Sequence, residues 1–229
     1  MAVSTFSFGG HAFEPLAERA LHWPARRTVI LSDLHVGKAA VFRARGLPVP
    51  TGVTTKDLDR LAAIVEQTAA ERVLILGDFL HAKESHDSAS HIERWRSRHA
   101  SLAVEIVPGN HDKHLGSLDP ALKFKKLEAV HVEAGLAFVH DPAEVQALPV
   151  LAGHVHPRAR LSDFDGSGVS VPCFVVDERV LILPAFGSFT GGCRMATADG
   201  RRLLATAANR VVEVPHRPRR PIGLPAGGA

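Results

Sequence analysis

The sequence predicts an α/β protein, and three observations carry that prediction. Five short apolar runs recur at 29–31, 73–76, 104–107, 137–139 and 150–152, each with the composition of a buried strand. The first two are separated by apolar residues at helical spacing (Leu58, Leu61, Ala62, Val65, Ala69), the order of a βαβ unit. Beyond His156 the chain turns β-rich. At 229 residues it can bury one sizeable core, so a single domain over 1–214 is expected, with a tail over 215–229.

In chain order, Phe6 and Phe8 alternate before Gly9-Gly10, and Leu21 to Trp23 precedes Pro24, so 3–22 reads as short strands. Val29, Ile30 and Leu31 form the first buried strand and stop at Ser32-Asp33, with His35 two residues on. Residues 39–45 read as a short helix ended by Gly46, followed by a loop through Pro48 and Pro50. Thr54-x-x-Asp57 has the pattern of a capping box for the packing helix that follows. The strand at 73–76 ends in Gly77-Asp78, with His81, His86 and His91 beyond it. Ile92, Trp95 and His99 share a helical face, which makes His99 a core or boundary residue. The strand at 104–107 runs into Pro108-Gly109-Asn110-His111-Asp112. The runs at 137–139 and 150–152 end in His140-Asp141 and Gly153-His154-Val155-His156. Asp165 to Gly168 is a loop, and strands at 171–176 and 180–183 flank a tight turn at Asp177-Glu178.

Five apolar runs that each finish in Asp, Asn or His are a pattern that packing alone does not produce. At strand ends these groups emerge where open α/β sheets bind ligands. Carboxylate, amide oxygen and imidazole without thiolate suit Mn, Fe, Zn or Ni rather than a Cys-rich structural zinc site. Two such ions about 4 Å apart can bind non-bridging phosphate oxygens and activate water for in-line attack. That chemistry asks for a bridging carboxylate, nitrogen ligands on each ion and an unligated acid near the leaving group.

Asp33-x-His35, Gly77-Asp78, Gly109-Asn110-His111-Asp112, His140 and Gly153-His154-x-His156 together resemble the five-motif signature of calcineurin-like metallophosphoesterases. The resemblance implies two packed mixed β-sheets flanked by helices, a four-layer sandwich. It implies one divalent ion on Asp33, His35 and His156, a second on Asn110, His140 and His154, and Asp78 between them. His111 would be the general acid, oriented by Asp112. Softer strings, Asp33-Leu34-His35-x-Gly37-Lys38, Phe42-Arg43-x-x-Gly46-x-Pro48-x-Pro50, Gly77-Asp78-Phe79-x-His81 and 184–192, resemble the DNA ligase-associated subgroup. That likeness implies a manganese-dependent phosphodiesterase and DNA endonuclease of bacterial DNA repair, working beside a ligase and a helicase. Within enzymes the alternative is a nucleotide or other small-molecule phosphodiesterase or pyrophosphatase. Outside them it is an idle scaffold, against which the full ligand set argues.

Composition narrows the rest. No apolar run approaches a membrane span and no basic region followed by an apolar core opens the chain, so a soluble cytoplasmic protein is expected. Cys173 and Cys193 make no disulfide framework. A net charge of +3 and a pI near 9.1 permit an anionic partner. Lys38, Arg43 and Arg45 follow the first motif and are candidate phosphate contacts, with solvated helix face as the plain alternative. His81, three residues after Asp78, is a candidate site-lining residue. Lys123, Lys125 and Lys126 around Phe124 have the composition of a single-strand contact or of a solvated loop. Arg217, Arg219 and Arg220 lie in the Pro/Arg/Gly-rich tail, expected to be disordered and dispensable for chemistry.

Overall fold

Two mixed β-sheets pack face to face in the computed structural model, which describes residues 2–81, 86–144, 147–162 and 167–216. The strands of the first sheet are β1 (Phe6–Phe8), β2 (His11–Pro15), β3 (Leu21–Trp23), β4 (Thr28–Leu31), β5 (Arg72–Leu76), β6 (Ala103–Val107) and β7 (Phe124–Lys126), in that spatial order. Pairing is antiparallel from β1 to β4 and parallel from β4 to β7. Between these strands run α1 (Lys38–Ala44), α2 (Val53–Thr68) and α3 (His86–Arg98).

Side chains of β4, β5 and β6 alternate between two cores, as a period of two requires. Val29, Leu31, Val73, Ile75, Val104 and Ile106 pack with Leu58, Leu61 and Ile64 of α2 and with Ile92 and Trp95 of α3. Ile30, Leu74, Leu76 and Val107 point the other way, toward Phe138, Leu151, Phe174 and Leu181 of the second sheet. Burial on both faces is why these strands read as unbroken apolar runs.

The second sheet holds β8 (His131–Glu133), β9 (Leu136–Phe138), β10 (Val150–Ala152), β11 (Pro157–Ser162), β12 (Gly168–Val176), β13 (Val180–Ile182), β14 (Cys193–Arg194), β15 (Arg202–Ala207) and β16 (Arg210–Glu213). Its central strands β9, β10 and β13 are parallel, and antiparallel β12 leads to the outer strands. The apolar clusters on its outer side draw on Ala159, Cys173, Val175 and Leu203 and on Ala137, Val139 and Val150; among the described residues no α-helix contributes to either.

Several local expectations change in three dimensions. The capping box is absent: α2 starts at Gly52 with no side-chain cap, and Asp57 instead accepts from Ser188, 131 residues away in sequence. Lys123 to Lys126 form no open basic loop, because Phe124 opens edge strand β7 and packs on Phe79, and Lys125 pairs with Glu105 at 2.8 Å. His99 sits half-buried against Trp95, as its helical face implied. Cys173 is buried and Cys193 exposed, and neither is in a disulfide. Asp165, Gly166 and the basic tail residues Arg217, Arg219 and Arg220 lie outside the described residues.

Candidate metal centre

The five apolar runs become β4, β5, β6, β9 and β10, whose carboxyl ends meet where the two sheets adjoin. Main-chain bonds stitch these ends together: Asp33 N–H donates to Gly77 O, His35 N–H to Asp78 O, and Gly153 N–H to His140 O. Asp33, His35, Asp78, His154 and His156 all have positive φ, between 50° and 68°. For residues with a Cβ that conformation is strained by about 1 kcal/mol or more each, and such strain clusters at functional sites. It turns the side chains out of the strand direction and toward one another. Two glycines allow the close approach. A Cβ at Gly77 would stand 2.2 Å from the His140 ring, and one at Gly109 would stand 2.4 Å from Asp78 Oδ1.

Asp33, Asp78, His35 and His140 are buried, while His154 and Asn110 lie toward solvent. Donor atoms of Asp33, His35 and His156 lie within 4.8 Å of one another, and so do those of Asp33, Asp78 and His140. Asp78 Oδ2 is 3.7 Å from His35 Nε2 and 3.5 Å from His140 Nε2, so one carboxylate oxygen faces an imidazole from each half. Asn110 Oδ1 and His154 Nδ1 stand 3.0 and 3.1 Å from His140 Nε2.

The protonation pattern asks for cations. His140 Nδ1 donates to the carbonyl of Leu76 at 3.1 Å, which turns Nε2 toward the centre. Nε2 faces Asn110 Oδ1 and Asp78 Oδ2, oxygens that a cation placed between them and the ring would satisfy. His35 Nε2 is buried without a hydrogen-bond partner. Asp33 Oδ1 is also buried and unsatisfied, since His156 Nε2 approaches it at 3.1 Å without hydrogen-bond geometry. Burial pushes the His35 imidazole down to about 3, with Lys38 adding to the effect, so the ring is neutral and able to ligate. Burial alone would raise the Asp33 carboxyl, but His156 and His140 hold it below its ordinary value. The residues present fit a pair of divalent ions.

His111 occupies the rim. Its N–H donates to Asp78 Oδ1 at 2.9 Å, and its ring lies edge-on to His35 at 5.3 Å and stacked on His81 at 4.9 Å. Asp112 departs from the expected role: its oxygens accept from the amides of Leu80 and Gly109, both at 2.9 Å. It pins the loop that carries His111 instead of touching the ring. Burial raises its carboxyl even against those bonds.

The four candidate phosphate contacts separate by position. His81 Nδ1 is 3.4 Å from His35 Nδ1, and burial, then Lys38 and His111, push its imidazole down to about 4. It therefore offers a hydrogen bond and not a charge at neutral pH. Lys38 opens α1 half-buried and within electrostatic reach of Asp33 and Asp78. Arg43 donates to Pro50 O at 3.0 Å, and Arg45 is exposed beyond the end of α1.

A feature that residue pattern alone did not reveal lies beside Asp33. The segment after β13 folds back, with Phe186 N–H donating to Ser32 O and Gly187 N–H to Asp33 O. Arg19, Asp57 and Arg60 hold that segment through Ser188 and through the carbonyls of Phe186 and Gly187. The contacts span 126 to 169 residues, beyond the reach of any local motif.

The calcineurin-like phosphoesterase family model matches residues 26–167, which contain every candidate ligand. The chain is similar to nuclease MPE of Pseudomonas putida, with 35% identity and a TM-score of 0.79 over 91% of this chain and 98% of that one. A protein of unknown function from Aquifex aeolicus, AQ665, aligns over 56% of this chain and 78% of its own, with 18% identity and a TM-score of 0.39. Comparison with curated proteins finds no match. By its family match and its likeness to the nuclease, the chain belongs to the calcineurin-like phosphoesterases.

Proposed function

We propose that this phosphoesterase is a bimetal phosphodiesterase that cuts DNA internally, with single-stranded DNA favoured and manganese as the working ion. The carrying observation is a gathered set of candidate donors, its inner members buried and two of their atoms without a hydrogen bond, in a chain 35% identical to a nuclease. Asp33, His35 and His156 would hold one ion, Asn110, His140 and His154 the other, and Asp78 would lie between them. When bound, the ions supply Lewis-acid charge to phosphoryl oxygens and lower the pKa of a water.

The chain's own groups do the rest. His111, off both ions, gives a proton from its imidazole to the departing oxygen, and Asp112 fixes its loop through main-chain amides. Lys38 and His81 contact the phosphate, one by charge and one by a ring N–H, while Arg43 and Arg45 meet phosphates further out. The biological setting that fits is bacterial DNA repair in the cytoplasm, in association with a ligase and a helicase. The segment from Pro215 onward lies outside the catalytic unit, and its deletion is expected to leave hydrolysis of a small diester intact.

The test is cleavage of circular single-stranded DNA by metal-stripped protein given Mn²⁺, Zn²⁺ or Mg²⁺. A synthetic phosphodiester and a phosphomonoester run alongside. Cutting of the circle that vanishes in Asp78→Ala is the expected result. Hydrolysis of the small diester with an intact circle would move the substrate to nucleotides. Silence on all three with metal bound would leave a scaffold.

A further inference from the structure

A groove leads away from the centre past Lys38 and Arg43 and on to cations that the chemistry above does not use. Its inner end is a narrow pit beside His35, between α1 and the first turn of α2, along Lys38 and Thr54. It continues past Arg43, Thr51 and His91, and then along α3 past Arg94 and Arg98. The stretches are contiguous, because Ala39, Val53 and Thr54 line both the first and the second, and His91 lines both the second and the third.

On α3, His91, Arg94 and Arg98 stand at i, i+3 and i+7, and so share one face over about 10 Å of helical rise. Arg94 and Arg98 are exposed, and no ion pair holds either among the described residues. Of the two carboxylates along the groove, Asp57 is taken up by Ser188 and Arg60, which leaves Asp59 alone against the cations. A row of positive charges that begins at Lys38 and Arg43 and ends in the two exposed arginines of α3 is complementary to a chain of regularly spaced phosphates. Trp95 is buried, so attraction here rests on charge and not on base stacking by that ring.

We propose that this groove seats the single-stranded nucleic acid flanking the scissile phosphate, with Arg94 and Arg98 as its distal phosphate contacts. The proposal rests on the nuclease reading and adds where the polymer lies. Its test is binding rather than turnover: anisotropy of a labelled oligothymidylate with full-length protein in chelator, across a salt series. Replacing both cations, as Arg94→Ala with Arg98→Ala, is expected to weaken binding about tenfold and flatten the salt slope by about 1.4. Arg94→Lys with Arg98→Lys is expected to restore most of the affinity, which separates lost charge from lost fold.

Unchanged affinity in the alanine pair would overturn the proposal. So would absence of binding by the wild type, or equal affinity for poly-glutamate, which marks an acidic protein partner instead. Cleavage is scored separately with Mn²⁺ restored. An oligonucleotide held by the two arginines but never cut would refute the nuclease reading and leave the groove. Normal cutting with unchanged affinity in the alanine pair would do the reverse.

Discussion

Two polar clusters, each around a buried carboxylate, flank the Asp33 loop, and they are built on opposite terms. In the one around Asp57, every oxygen of the carboxylate has a donor. Oδ1 takes Ser188 Oγ at 2.5 Å and Arg60 at 2.9 Å, and Oδ2 takes the Ser188 amide at 2.9 Å. Arg60 also stacks over the Phe186 ring at 4.2 Å and binds the Phe186 carbonyl. In the cluster around Asp33 and Asp78, imidazole lone pairs and carboxylate oxygens face one another, and Asp33 Oδ1 and His35 Nε2 have no hydrogen-bond partner. A closed cluster of acid and base is what a fold retains for its own sake. An open one, held in strained backbone, costs stability unless a cation completes it.

The largest effect that separates the two is expected at Asp78. Asp78→Ala should lower metal affinity by more than about 100-fold and abolish measurable turnover, because it strips an oxygen from both halves. Metal content by mass spectrometry and hydrolysis of a synthetic diester check it. His111→Ala should keep both ions yet slow turnover about 10²- to 10⁴-fold on poor leaving groups, and much less on activated ones. Loss of metal in that variant would make His111 a ligand.

Asp57→Ala attacks the closed cluster and should do the opposite. It leaves Arg19 and Arg60 facing each other without their acid, for an expected loss of about 3 kcal/mol in denaturant unfolding. Folded protein should still bind both ions. A variant that stays stable but loses metal would mean that the Ser188 segment belongs to the centre.

The smallest effect concerns a third cluster, in which Arg72 bonds Glu105 and Glu133. Burial alone would raise both carboxyls, but Lys125 and Arg72 hold Glu105, and Arg72 holds Glu133, below the ordinary value of 4.5. Folded pKa values below the unfolded ones mean stabilisation that is complete above that value and fades as pH falls through the lowered ones. A modest fall in melting temperature of metal-free protein below pH 4.5, weaker in Arg72→Met, would show it.

Most of the first sheet and the meeting of the candidate donors were legible in the sequence, for a physical reason. Strands buried on both faces, such as β4 and β5, must be apolar throughout, so Asp33 and Asp78 stand out at their ends. The glycines beside them are legible too, because Gly77 and Gly109 lie where no Cβ fits. Local pattern failed where a side chain's partner is distant. Asp57 has the spacing of a helix cap, yet its partner Ser188 is 131 residues away. Asp112 adjoins His111 in sequence, yet its oxygens serve the loop's main chain. Lys125 is exposed, as a solvated cation would be, yet its partner Glu105, 2.8 Å away, is brought to it only by the pairing of β7 with β6.

The most direct test of the open cluster is a count of ions. Wild-type protein, Asp78→Ala and Asp57→Ala are stripped with chelator, dialysed against Mn²⁺ and assayed for metal per chain. The account predicts two ions in the wild type, two in folded Asp57→Ala, and a clear deficit in Asp78→Ala. No bound metal in the wild type, or two tightly held ions in Asp78→Ala, would contradict it.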